Sequence, residues 1–421
     1  MATTNTFGTP NNSVGNLNGL FKEAYADKLE NLIPDQVKLL NLIKFMSKDK
    51  QPGNLYHQPV ILGLEHGITF AGSDEDAFNL NAPVAGTIKD AQIKGSPAVL
   101  RSFLGYVAAS RAAQGDAKAF MDATKYLVAN MLRSMAKKLE IEMLYGQSGY
   151  GAVDSSTPGF TTPTKIRVQT AEWAPGIWAG AEGLTIEVRD SASPYTVRGT
   201  AKILSVSFEN RELTLANAIN GMADGDIIWH NGAYGNEFIG IHEIIKKDSG
   251  LLFNVDVGQY NLFRGNKYPA GGGALSFAKL NLAVARAVEK GLEGKLMVMV
   301  NTRGWANMLN DQAALRKYDG SYSKTKLENG SEALEFHSQN GVLQIVPSVY
   351  VKEGYAYMLS IEDWQRVGST DMTFKRPGQG DQFFRDLESS AGYELRLYTD
   401  QAVFCSAPGR NVLITGIVNQ T

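Results

Sequence analysis

The sequence predicts an α+β protein with an inserted all-β segment. Three observations carry this: one long amphipathic helix, a run of short alternating strands after it, and a second helix leading into a wholly apolar strand. In the first, spanning 116–145, Leu127, Met131, Met135, Leu139 and Met143 recur every four residues, with Val128, Leu132 and Ala136 in the adjoining row. That is a wide apolar face of helical period. At about 1.5 Å per residue it runs roughly 45 Å, a strut more suited to a building block than to a catalyst. Glycines then break the chain at Gly146, Gly149 and Gly151.

Between 164 and 229, the stretches 165–168, 184–188, 202–206 and 213–215 alternate with period two. Turn residues separate them at the spacing of a small sandwich or barrel. After Gly271-Gly272-Gly273 comes the second helix, 276–290, with Ser276 as N-cap and Leu280, Val284 and Val288 as its apolar row. Residues 295–300 form a buried-strand run, followed by a short helix near Trp305–Leu309 and strands at 342–351, 355–359 and 411–418.

The N-terminal part is less periodic. Residues 1–20 carry no charged side chain and are dense in Asn, Thr and Gly, the composition of a flexible tail. Residues 20–50 read as mixed helix around Leu39, Leu40, Leu42 and Ile43, with a fresh start at Pro34 and Asp35. Between 56 and 71, Val60-Ile61-Leu62 and Ile68-Thr69-Phe70 read as strand runs; 88–94 reads as the return strand, and Ser73-Asp74-Glu75-Asp76 as an acidic tip. A hairpin standing alone is marginal in water, so this one is expected to lie on something. Tyr56, Phe70, Asp74, Glu75 and Asp76 are its candidate contact residues.

Bulk composition narrows the classes. At 421 residues the chain suggests two or three domains. Apolar and charged fractions of 43% and 20% are ordinary for a globular protein, and a net charge of −2 disfavours specific nucleic-acid recognition. Cys405 is the only cysteine, so neither an internal disulfide nor a thiolate-based metal site is expected. With no apolar run near the ~20 residues of a membrane span and no signal-peptide pattern, a soluble protein made in a cytoplasm is expected.

Catalytic signals are weak. None of the five histidines pairs with another at helical spacing, and His230, near Asp226 and Trp229, is the one metal or acid–base candidate. Gly146-Gln147-Ser148-Gly149-Tyr150 resembles a nucleophile elbow only in part, since Tyr150 stands where glycine is needed and a helix precedes it; a glycine helix stop accounts for it. Gly271-Gly272-Gly273 lacks a Walker lysine and reads as a joint. The acidic residues at 74–76 lack the spacing of a cation loop, and Cys405 lacks a cationic activator. No catalytic residue, cofactor or metal is therefore assigned, and the chain is not expected to be an enzyme.

The order of elements resembles the major capsid protein fold of tailed bacteriophages, shared with encapsulins and herpesvirus shells. The neutral 1–20 resembles its N-arm, the hairpin at 54–95 its extended loop, and the helix ending Leu139-Glu140-Ile141-Glu142-Met143-Leu144-Tyr145-Gly146 its spine helix. Residues 275–310 resemble the second peripheral helix entering the axial domain, and 341–357 the axial strands. The resemblance implies an N-terminal arm with short helices (1–50), the extended loop (51–110), a peripheral domain with the spine helix (111–160) and an inserted β domain (161–250). It further implies a second peripheral helix (251–294), an axial domain (295–400) and a C-terminal strand returning to the core (401–421). The β segment exceeds the minimal fold and disfavours an encapsulin. No cleaved N-terminal scaffold segment or crosslinking motif is identifiable.

The function implied is a structural subunit of an icosahedral capsid, self-assembling into pentamers and hexamers around packaged double-stranded DNA. Expected partners are other copies of the chain, together with scaffold, portal and decoration proteins, and no membrane. The expected location is the virion capsid, assembled in the host cytoplasm. Two rival readings are a phage tail, baseplate or surface binding protein that uses the β segment for ligand contact, and a hydrolase built on His230, Ser148 and Asp226. Against a coiled-coil stem, the a/d pattern does not persist for three clean heptads.

Overall fold

The computed structural model describes residues 37–46, 54–74, 78–105, 123–155, 161–311, 334–338, 341–375, 384–386 and 392–419. The neutral segment 1–20, the start at Pro34 and Asp35, residues 116–122 of the long helix, and Glu75 and Asp76 lie outside them.

After a single helical turn at Leu39–Leu42, strands β1 (Tyr56–Gly63) and β2 (Thr87–Ile93) pair antiparallel, from Tyr56 opposite Ile93 to Gly63 opposite Thr87. Strand β3 (Ser96–Gly105) follows, and its side chains alternate half-buried and exposed along its whole length. The long helix, Ala123–Tyr145, buries Met131, Met135, Leu139 and Met143, the row expected from their spacing. In the second row Val128 and Ala136 are partly buried, while Leu132 stays 38% exposed because the core does not reach round that far.

The helix ends as its glycines require. A Cβ on Gly146 would lie 2.1 Å from the Phe238 carbonyl oxygen, so only glycine lets the chain pass there. Gln147 and Gly149 take φ of 63° and 80°, and the Ser148 hydroxyl donates to the Tyr145 carbonyl at 2.7 Å. This is a helix stop, with Ser148 spent on the stop itself.

The next strands are β4 (Gly151–Ala152), β5 (Lys165–Arg167), β6 (Thr185–Arg189), β7 (Val197–Ser207), β8 (Glu212–Leu215) and β9 (Ile227–His230). They make a sheet of their own in the order β4-β9-β6-β7-β8-β5. Period two decides its faces: Ile186 and Val188 on β6, and Ala201 and Ile203 on β7, turn into the core.

A short helix, Ile241–Lys246, and the two-residue strands β10 (Leu251–Leu252) and β11 (Val255–Asp256) lead to β12 (Asn266–Pro269). The second helix runs Phe277–Val288, with the Ser276 hydroxyl accepting the Lys279 N–H at 3.4 Å. Strand β13 (Leu296–Val300) and the helix Thr302–Leu309 follow, then β14 (Leu334–Ser338), β15 (Gly341–Pro347) and β16 (Tyr355–Leu359). The chain continues through β17 (Trp364–Thr373), β18 (Phe384–Asp386) and β19 (Gly392–Cys405) to β20 (Val412–Thr415).

Strands β12, β20, β16, β13, β15 and β14 form a six-stranded mixed sheet in that order. All five residues of β13 are buried because both faces are covered. Leu296, Val298 and Val300 face the second helix, packing with Leu280, Val284 and Ala287. Met297 and Met299 face the other way, into the large core. Burying each such side chain contributes about 1.5–3 kcal/mol.

In the remaining sheet, β19 carries β17 and β18 along one edge and all of β3 along the other, from Gly392 opposite Gly105 to Gln401 opposite Ser96. The boundary expected at 400/401 therefore falls inside one continuous strand. Two local expectations are also corrected. Ile68-Thr69-Phe70 forms no strand, because among the described residues no second strand lies beside it. Residues 348–351 turn out of the strand expected at 342–351.

Candidate assembly surface

The hairpin is pinned at its root and bare towards its tip. At the root, Ala91 and Ile93 are buried, the Gln92 N–H donates to the Phe253 carbonyl at 2.8 Å, and the Tyr56 ring meets Phe404 edge-on at 5.6 Å. His57 and Asp90 face each other across the pair at 2.6 Å, and the bonds from Gln92 and His57 lower the Asp90 carboxyl from its ordinary range. Beyond β1 the bonds between the limbs include His66 N–H to the Val84 carbonyl, Asn81 N–H to the Thr69 hydroxyl, and the Asn81 amide to the Ile68 carbonyl.

Large apolar side chains cover this outer part without covering one another. Phe70 is 89% exposed and Leu80 80%, and Ile61, Leu64, Ile68 and Ile88 are all more than half exposed. So many exposed large apolar side chains on one hairpin are uncommon on a monomer and make this the candidate contact surface. Of the candidate contact residues, Phe70 and Asp74 lie in this exposed region, while Tyr56 is half-buried at the root, roughly 25 Å away along β1. The structure thus separates residues that the sequence grouped together. Ile61, Leu64 and Leu80 are likewise exposed but were not among the candidates; their signal was large apolar character towards the outer end of a predicted hairpin.

A cavity of about 590 Å³ opens where β3 runs beside the long helix, bordered by Leu100, Met135, Ile141, Ile177 and Leu184. Lys137 and Lys138 also line it; the Lys137 ammonium donates to the Ala179 carbonyl, and Lys138 is bonded to His230 Nδ1. Burial lowers both lysines to about 8. Glu142 accepts the Phe238 N–H at 3.1 Å and Glu237 the Gln147 N–H at 2.8 Å, with the Tyr150 hydroxyl on the second Glu237 oxygen. Burial pushes Glu142 up to about 8, aided by the nearby charge of Glu237, and burial pushes Glu237 up to about 7.

His230 is built into this cluster. It is fully desolvated, stacks on Tyr150 at 4.0 Å, and is driven well below its ordinary pKa by burial and the two lysines. Asp226 takes other partners, the Arg198 guanidinium at 3.1 Å and the Ala223 N–H at 2.7 Å. His230, Asp226 and Ser148 therefore make no common set. Among the described residues no group of three or more His, Cys, Asp or Glu side chains could hold a metal ion. Cys405 is buried, and burial raises its thiol well above its ordinary pKa.

A second buried network joins the long helix to the six-stranded sheet. Tyr145 donates to the Tyr350 carbonyl and accepts the Lys352 N–H, and the Lys352 ammonium reaches Glu172 at 2.6 Å. Burial alone would raise Glu172, but Lys352 overrides it and holds the carboxyl down at about 2.

No protein-family model matches the sequence, and no curated protein matches it. Solved structures do. A chain of the cyanophage A-1(L) capsid asymmetric unit superposes with a TM-score of 0.52 at 13% identity, covering 95% of this chain and 98% of that one. A chain of the capsid of cyanophage P-SCSP1u gives a TM-score of 0.51 at 8% identity, with both chains covered completely. The likeness is one of fold, and it extends over essentially the whole of each chain. The fold is the one that the order of sequence elements resembled.

Proposed function

We propose that this chain is a structural subunit of an icosahedral virus capsid, assembling into pentamers and hexamers that enclose double-stranded DNA. The observation that carries the reading is the end-to-end likeness in fold to two capsid chains. The exposed apolar hairpin is consistent with it, since such a surface needs a partner. In this reading 1–20 is the arm, the hairpin is the extended loop over a neighbouring copy, Ala123–Tyr145 is the spine, and the sheet from β4 to β9 is an inserted domain.

The physics suits a shell. Closed cages need heterologous contacts that repeat around rotation axes. Many modest contacts per copy then act together, as in multivalent binding. A net charge of −2 lets a wall enclose DNA without seizing it. Scaffold, portal and decoration proteins are the further partners proposed, with assembly in the host cytoplasm and residence in the virion.

Electron microscopy of the purified protein, alone and with its naturally co-expressed proteins, tests the reading. Closed shells of icosahedral symmetry are expected. Monomers or trimers alone under every condition would overturn it.

A further inference from the structure

The cavity beside the long helix is built where four stretches meet: the helix from Asn130 to Glu142, strand β3, residues 177–184 and the turn 230–237. The Ser96 hydroxyl donates to the Asn236 carbonyl, which ties β3 to that turn and closes one side. Exposure falls along the helix wall, from Asn130, Arg133 and Ser134 in solvent, through half-buried Lys137 and Lys138, to buried Ile141. The cavity therefore has a wet mouth and a dry end. Arg133 and Ile141 stand about 12 Å apart along the helix at 1.5 Å per residue. A volume of 590 Å³ suits a small molecule, and such sites are mostly apolar with a few convergent polar groups.

The lining is positive whichever way its protons lie. Arg133, Lys137 and Lys138 stand against two carboxyls, Glu142 and Glu237. Burial drives each of these lysines and carboxyls towards its neutral form. A lysine with a carboxyl sums to zero when both are ionised and when both are neutral. The surplus is the charge of Arg133, which a guanidinium keeps in any protein setting. Burial keeps His230 from adding to it, and Glu182 acts on Lys137 from outside the lining, where solvent screens it. Lysines are costly to desolvate, and perturbed cations gathered in a cleft are characteristic of functional sites.

We propose that this cavity binds a fatty-acid-like monocarboxylate, its carboxylate at the mouth against Arg133 and Lys137 and its hydrocarbon chain laid along Met135, Ile141, Ile177 and Leu184. Lys137 spends one of its three N–H donors on the Ala179 carbonyl, so its ammonium is held at the wall and can still donate to a ligand. A half-open mouth spares the carboxylate full desolvation, while the aliphatic wall removes the chain from water. A sugar phosphate or nucleotide fits less well, because its polar body would face that wall without partners. The site belongs to the single chain and does not depend on shell formation.

Calorimetric titration of the unassembled protein with decanoate tests it, with decanol and acetate as probes of chain and charge alone. One saturable decanoate site per chain is expected, with decanol and acetate each weaker by about tenfold or more. Arg133→Gln/Lys137→Gln should weaken decanoate about tenfold and leave decanol unchanged, circular dichroism confirming the fold. Absence of saturable decanoate binding overturns the proposal, as does decanol binding equally well to the unaltered chain. A diazirine-bearing decanoate analogue locates the site on the unaltered protein, free of any folding effect of the variant. Cross-links should fall within 133–141 and 177–184. Cross-links confined to the exposed apolar hairpin would overturn the site. A chain that binds decanoate in this way yet never forms shells keeps the site and loses only the shell function.

Discussion

The Glu140 carboxylate accepts the backbone N–H of Leu39 at 2.9 Å, joining residues 101 positions apart. Its oxygens also receive the Lys38 and Leu40 N–H groups at 3.0 and 2.9 Å, so one side chain caps a helical turn that has no capping residue of its own. Burial raises this carboxyl above its ordinary pKa even though the three amides favour its anion. Glu140→Ala would strand three buried donors and should lower unfolding free energy by about 3 kcal/mol or more, measured by chemical denaturation.

Glu142 and Glu237 give the protein a pH signature. Both carboxyls hold a proton more tightly folded than unfolded, with values of about 8 and 7 against an ordinary 4.5. Their stabilising contribution is complete below about pH 4.5 and is lost as pH rises through 7 to 8. Lys138 runs oppositely: its folded value of about 8 lies below 10.5, so stability returns only between about pH 8 and 10.5. Thermal unfolding should therefore show stability falling from pH 5 to 8. Glu142→Gln/Glu237→Gln should flatten that slope, removing about 1–3 kcal/mol of the difference between those pH values.

Acid acts through the second network. Glu172, at about 2, loses its contribution as pH falls from 4.5 towards 2, and His242, which burial lowers to about 3, loses its own between 6.5 and 3. Lys352→Met leaves Glu172 without its cation and should shift the acid-unfolding midpoint upward by about one pH unit, followed by fluorescence of the buried tryptophans.

Gly146 should tolerate no side chain. Alanine there would push a carbon into the Phe238 carbonyl and part the helix end from Phe238 and Gly240, at a cost of about 1–3 kcal/mol by denaturant titration.

The hairpin surface separates folding from assembly. Phe70→Ser/Leu80→Ser changes two exposed side chains, so monomer stability should stay within about 0.5 kcal/mol while particle yield collapses. Deleting 73–76 should likewise spare folding and impair particles. Unchanged yield by sedimentation or microscopy, for either variant, would exclude the outer hairpin from the contact.

Much of the fold was legible because it was local. The Met131–Met135–Leu139–Met143 row, the Ser276 cap and the apolar run of β13 each declare themselves within a few residues. What was not legible is pairing at a distance. Nothing near Ser96 states that its partner is Gln401, and nothing near Glu140 states that its ligands are three amides a hundred residues earlier. The exposed face of the hairpin was half legible for a similar reason: Phe70 and Asp74 stand out by composition, but exposure of Leu64 or Leu80 is a property of what fails to cover them.

The pairing of β3 with β19 also sets an order of events during synthesis. The seat of the hairpin is completed by residues that leave the ribosome about 300 positions later. A nascent chain therefore displays a bare hairpin with no finished base to stand on. Copies cut short by stalled translation would lack the strand that props the hairpin, and would be screened out of any growing particle by their own incompleteness.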